Sequence, residues 1–211
     1  MRIAILHSSS HALADAIVRA GMQPEFFLPH DASINLAKCA GFILLDDLSA
    51  ECMQILSQQS HLGKPVLGMG KGAECLVTSG LIPGLENAEP CITLTDVEYV
   101  AHTIRLTEYY QLNAFTQCLT LKNELPIDVT ARRFVVPPAL GMEMQLLGTN
   151  VFQFGEATEH VAAIANKMGN VLALLPFLQD DNQSDLIFQS MRDYIRAGYV
   201  QQVAPLNYYP R

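Results

Sequence analysis

The sequence predicts an α/β protein: a central, mostly parallel sheet with helices on both faces and antiparallel additions in its second half. Three observations carry this. Through the first 80 residues, short runs that are apolar throughout alternate with segments of helical period, the pattern of parallel strands buried on both faces. Beyond residue 90, strand-like runs follow one another with few helical segments between them, as antiparallel neighbours do. Between these two halves, a strand breaks at Gly68, Gly70 and Gly72 and turns directly into a helix.

Residues 2–6 form a short apolar run that reads as a buried strand. Ser8-Ser9-Ser10 offers N-caps for a helix in which Ala12, Leu13, Ala16, Ile17 and Ala20 recur before Gly21. Residues 25–28 read as the second strand, closed by Pro29, and residues 40–45 as the third, ending at Asp46-Asp47. A helix over about 49–59 places Cys52, Ile55 and Leu56 on one face. Gly63-Lys64-Pro65 then turns the chain into a strand over 65–67, followed by the glycines and a helix that ends at Gly80. In the second half, residues 91–100, 102–106, 133–137, 151–154, 160–165 and 170–175 are strand-like. Met168-Gly169-Asn170 is a tight turn between the last two. Leu186, Ile187, Met191, Tyr194 and Ile195 mark a closing amphipathic helix, with Ser184-Asp185 as its cap. Residues 1–200 read as one domain and 201–211 as a loosely held C-terminal tail.

Composition excludes several classes of function. Half of the 211 residues are hydrophobic and 16% are charged, so the chain has a full core to bury and is not disordered. The formal charge of -8 and the lack of a lysine/arginine-rich run argue against a nucleic-acid surface. No apolar run reaches membrane-span length, and the N-terminus turns polar after one strand, too soon for a signal peptide. Five cysteines, an odd number without a CxxC pair, predict reduced thiols in a cytoplasmic protein. The six histidines are scattered along the chain, and neither a metal site nor a cofactor is expected.

Strand, glycine turn and helix together make the geometry of a nucleophile elbow, where the middle residue is forced up to the helix N-terminus. Flanking glycines are needed there because neighbouring Cβ atoms would collide and the turn takes unusual φ/ψ. In an elbow of the form Gly-x-Cys-x-Gly the middle residue is a thiol. Here it is Gly70.

Gly63-Lys64-Pro65-Val66-Leu67-Gly68 with Gly72, followed by Gly80-Leu81-Ile82-Pro83-Gly84, resembles the elbow region of class I (triad) glutamine amidotransferases. A second block, from Val161-Ala162-Ala163-Ile164-Ala165 through Met168-Gly169-Asn170 to Leu174-Leu175-Pro176, is similar to that family's penultimate hairpin. The likeness is greatest to the small glutaminase subunit of phosphoribosylformylglycinamidine synthase. It implies a flavodoxin-like three-layer α/β/α fold, a role around purine biosynthesis and, as partner, the large subunit of a synthetase. The family's chemistry uses a cysteine thiolate, a histidine that shuttles the proton, a glutamate that orients it and an oxyanion hole. By this resemblance the cysteine falls on Gly70, the histidine on Phe177 and the glutamate on Gln179. Leu44-Leu45-Asp46-Asp47 stands where a glycine pair helps form the oxyanion hole, and Pro137-Pro138-Ala139-Leu140-Gly141 where a His-Gly-Glu segment is expected. Glycine has no side chain, phenylalanine takes no proton and glutamine carries no charge. The expectation is a glutaminase fold without glutaminase chemistry. Two alternatives stand beside it: an active glutaminase with another nucleophile, Cys75 first, and a small anion or ligand binder built on the glycine turn.

Other residues have both a functional and a plainer reading. Gly68-Met69-Gly70-Lys71-Gly72 places successive N–H groups at a helix start, which is an anion nest or simply the turn that closes the strand. His7, Asp46, Asp47 and that turn are expected along the rim formed by the carboxyl ends of the strands, where ligands bind in such sheets. Asp46-Asp47 fits a magnesium site in principle but more often caps an element. Arg132-Arg133 reads as a solvated strand start. Met142 and Met144, near Leu146 and Leu147, form an apolar patch that is either core or partner surface.

Overall fold

A computed structural model of the chain describes residues 1–7, 11–30, 35–82, 92–106, 113–120, 122–135, 151–154, 161–166 and 168–198. The elements run β1 (Arg2–Leu6), α1 (His11–Arg19), β2 (Gln23–Phe27), a 3-10 turn (Leu36–Lys38), β3 (Gly41–Leu44), α2 (Ala50–His61), β4 (Val66–Met69) and α3 (Lys71–Thr78). They continue with β5 (Thr93–Leu106), β6 (Glu124–Val135), β7 (Val151–Phe154), β8 (Val161–Ala165), β9 (Val171–Leu174) and a closing helix, here α4 (Asp185–Ala197). One nine-stranded sheet has the order β2-β1-β3-β4-β9-β8-β6-β5-β7. The first five strands in that order are mutually parallel and the remaining pairings are antiparallel. β7 also pairs with β8, so the antiparallel end curls back on itself.

The apolar strands divide their side chains between two cores. Ile3 and Ile5 of β1, Leu67 and Met69 of β4, and Leu172 and Leu174 of β9 face α1 and α4, where Leu13, Ile17, Phe188 and Met191 cover them. Ala4 and Leu6, Phe42 and Leu44, and Val66 face the other way, against Leu56 of α2 and Ala73, Leu76 and Val77 of α3. This alternation between two buried faces is why the strands read as apolar runs without polar positions. The chain is a flavodoxin-like three-layer α/β/α fold, with β9 in the fifth place of a 2-1-3-4-5 parallel order.

Several elements depart from the sequence expectation for identifiable reasons. β2 starts at Gln23 and includes Pro24, although the run is expected from residue 25. It is the sheet's edge, where one side needs no donor, and the Arg2–Glu25 ion pair at 3.2 Å holds it to β1. The runs at 91–100 and 102–106 are one strand, β5; the apparent break is a bulge, with the register to β6 shifting around Ala101. β6 begins nine residues before the expected 133, carrying Pro126 within it, so Arg132-Arg133 lies inside a strand and not at its start. Arg132 is paired with Glu74 of α3 and stands 3.8 Å from Asp96 of β5. Ser184 has helical φ/ψ (-64°, -32°) and makes no capping hydrogen bond through its side chain. Instead Asp181 Oδ1 accepts from the Gln183 N–H at 2.6 Å, and α4 opens with short turns. Ser49, by contrast, does cap its helix, accepting from the Cys52 N–H at 3.3 Å. The expectations for Ser8-Ser9-Ser10, Cys91, Pro137-Pro138-Ala139-Leu140-Gly141, Met142, Met144 and the tail 201–211 lie outside the described residues.

At the amino ends of β4 and β9, a buried polar knot replaces hydrophobic packing. Asn170 is fully buried; its Nδ2 donates to the carbonyls of Ser60 (2.7 Å) and Lys64 (3.1 Å), and its Oδ1 accepts from Asn166 (3.0 Å). Asn166 Oδ1 in turn accepts from the backbone of Asn170 and Val171. Removing one member leaves the others buried and short of a partner. Asn170→Ala is expected to lower unfolding free energy by roughly 2–4 kcal/mol, read as a shift of the urea midpoint with unchanged slope.

Candidate functional site

At the carboxyl ends of the strands, parallel pairing sets two distant segments side by side. β4 and β9 run in register from Val66↔Val171 to Met69↔Leu174, and the Gly70 N–H extends the ladder by donating to the Leu174 carbonyl at 3.1 Å. Gly70, at the end of β4, therefore meets the chain three residues beyond Leu174. Gly70 has φ 56° and ψ -121°, outside the regions open to residues with a side chain. Its carbonyl accepts from the N–H groups of Ala73 (3.1 Å) and Glu74 (3.3 Å), which starts α3.

The space above Gly70 belongs to Phe177. A Cβ built at Gly70 would stand 2.6 Å from Phe177 Cζ and 2.7 Å from Cε2. The ring, 40% exposed, stands in the volume into which a side chain at position 70 would project, so such a side chain must displace it. Its backbone is fixed against β6: the Asp128 N–H donates to the Phe177 carbonyl (2.9 Å), the Gln179 N–H to Pro126 (3.0 Å), and Ile127 bridges Leu178. Gln179 spends its side-chain amide on the same strand, donating to the Ile127 carbonyl at 3.0 Å.

The flanking glycines are held by packing. A Cβ at Gly72 would lie 2.2 Å from the Leu44 carbonyl oxygen, and one at Gly68 would lie 2.6 Å from the Gly72 carbonyl oxygen. Both are backbone contacts that cannot swing away, so these two glycines let α3 press onto β3 and β4. Lys71 is exposed at the helix start.

The remaining rim residues form a separate group. His7 follows β1 and Asp46 follows β3, neighbours in the sheet, and His7 Nε2 stands 3.3 Å from Asp46 Oδ2. This contact spans the point where the strand order reverses. Asp47 is exposed beside it. Among the described residues no three His, Cys, Asp or Glu side chains are grouped to hold a metal ion. Cys75 is half-buried in α3, and burial pushes its thiol above the ordinary range, which disfavours the thiolate. Sequence reasoning missed Arg19, which joins α1 to the segment after Gln179 by pairing with Asp180 and with buried Asp185 (2.8 and 2.9 Å). A lone arginine at a helix end carries no spacing signal for partners more than 160 residues away.

The fold that places a glycine turn at the end of β4 against the segment following β9 is the class I glutamine amidotransferase fold. Solved structures that share it include PurLQS from Thermotoga maritima (TM-score 0.63, 16% identity over 92% of this chain and 98% of that one). A putative GMP synthase component from Thermoplasma acidophilum matches with TM-score 0.63 and 13% identity, over 93% of this chain and 94% of that one. The glutaminase domain of Trypanosoma brucei CTPS, solved with bound acivicin, matches with TM-score 0.56 and 11% identity, over 93% and 94% of the two chains. No protein-family model matches the sequence.

The Gly70–Phe177 contact makes a quantitative expectation. Gly70→Ala combines a strained φ with a steric clash and should cost about 2–4 kcal/mol. In a Phe177→Ala background the clash is gone, and the same change should cost at least about 1 kcal/mol less. Urea unfolding of the four proteins in this double-mutant cycle gives the coupling directly.

Proposed function

We propose that this chain is a catalytically silent relative of class I glutaminase subunits, serving as a structural or regulatory partner of a larger synthetase. The observation that carries this is the Phe177 ring lying in the volume that a nucleophile on the turn at Gly70 would need. Gly70, Phe177 and Gln179 stand, on this reading, in the places of the family's cysteine, histidine and glutamate. None supplies a nucleophile, a base or a charge. Gly70 accepts φ 56° without strain, so losing a side chain there also removes a local cost of about 1–3 kcal/mol. The fold shared with PurLQS supports a setting in purine biosynthesis with a synthetase as partner. The cytoplasmic location expected from the sequence agrees with a partner of that kind.

An active glutaminase that uses Cys75 draws no support from the site. That thiol sits within α3, roughly 7.5 Å along the axis from Gly70, and its raised pKa works against attack. A ligand site on the glycine turn is likewise not needed to explain the glycines, since packing accounts for Gly68 and Gly72.

Ammonia release from glutamine, with and without the large synthetase subunit, tests the proposal. The unaltered chain should release none above buffer, and Gly70→Cys alone should not restore release, because no base stands beside the new thiol. Co-sedimentation with the synthetase subunit is the expected positive result. Glutamine turnover by the unaltered protein, or no association with any such subunit, would count against the reading.

A further inference from the structure

Behind the Phe177 loop, on the α1–α4 side of the sheet, lies a cavity of about 190 Å³. Most of its wall is apolar. Ala12 and Ala16, one turn apart on α1, leave the room, and Leu45, Met69 and Phe188 also line it. The volume is comparable to an apolar cavity of about 150 Å³ that holds benzene.

Polar groups stand at one side of it. Ser184 is 2% exposed, lines the cavity, and its Oγ has no hydrogen-bond partner. A hydroxyl buried this deeply without a partner is costly, so it marks a position where a ligand atom or a water completes the site. Asp128, Gln179 and Asp180 also line the cavity. Asp128 is exposed and makes no ion pair among the described residues, whereas Asp180 shares Arg19 with Asp185. Arg19 is thus shared by two carboxylates, and the Asp128 carboxylate at the cavity has no cationic partner among the described residues. The start of α1 adds only about half a positive charge, and Asp185 already occupies the first turn of α4.

We propose that this cavity is a binding site for a small primary amine with a compact apolar body, about one ring or a short branched chain in size. The body fills the space between α1 and Phe188, the ammonium group lies toward Asp128, and the Ser184 hydroxyl accepts a hydrogen bond from it. The site adjoins the glycine turn, sharing Met69 with it and lying beside Phe177, and it holds whether or not the chain turns over glutamine.

Benzylamine, benzyl alcohol and benzoate are isosteric probes of the three charge states. Titration of the full-length, isotope-labelled protein by heteronuclear NMR reads both affinity and location. Benzylamine should bind saturably with Kd on the order of 1 mM, as a ligand of this size permits, and move the amide signals of Ala12, Gln179 and Ser184. Benzoate should bind at least about 10-fold more weakly. Asp128→Asn should weaken benzylamine about 3- to 10-fold and leave benzyl alcohol within about 2-fold. Ser184→Ala should weaken benzylamine about 5-fold. Ala12→Phe fills the cavity and should abolish binding of all three; the smaller Ser184→Ala change keeps the test intact should Ala12→Phe fail to fold. No saturable binding of benzylamine, shifts confined elsewhere, indifference to a folded Ala12→Phe protein, or equal or tighter binding of benzyl alcohol or benzoate would overturn the proposal.

Discussion

The pairing of β4 with β9 is the constraint on which the rest of the molecule depends. These strands are far apart in sequence, yet their parallel register sets the ends of both at the same height. One consequence is architectural: β9 is parallel to β4 and antiparallel to β8, so it is the seam between the two halves of the sheet. Another is local to the rim. Because Gly70 hydrogen-bonds to Leu174, the turn into α3 faces Phe177, and what either residue can do is decided by the other. At the opposite end of the same two strands, the Asn166–Asn170 knot fixes the register from below, and Tyr194 of α4 adds a 2.9 Å hydrogen bond to the Gly63 carbonyl.

Packing alone is enough to require the glycine turn. Gly72 and Gly68 permit backbone-to-backbone approach between α3 and the sheet, so the turn is needed to bury Ala73, Leu76 and Val77 whatever the chain does. Gly70 relieves the strain that a side chain would suffer at its φ, and Phe177 covers the gap that results. A phenyl ring over a glycine is a stable packing arrangement that needs no substrate. The 177–179 segment is tied to β6 through its backbone and the Gln179 amide, which leaves its polar atoms engaged in the fold.

Much of the parallel half was legible in the sequence because its strands are buried on both faces and therefore apolar at consecutive positions. The edge strand was harder, since Pro24 and Glu25 are tolerated only where one side of the ladder is open. The antiparallel half misled at Ala101 and Pro126, where a bulge and an in-strand proline interrupt the periodic signal without ending the strand. Of the rim, the place of Gly70 in a strand–turn–helix and the nearness of His7 to Asp46 follow from strand order. The direct contact of Phe177 with Gly70 required the register of β9, and Arg19 with its two carboxylates required the packing of α1 on α4, neither of which has a local sequence signature.

The most direct test of the central claim is whether the rim binds glutamine at all. Heteronuclear NMR titration with glutamine reads this without reference to turnover. If Phe177 fills the site, the amide signals of Gly70, Lys71 and Phe177 stay in place up to tens of millimolar glutamine, concentrations that would reveal an affinity even as weak as about 1 mM. Saturable movement of those signals would mean that the ring yields to substrate, and the account of a closed, silent site would be wrong.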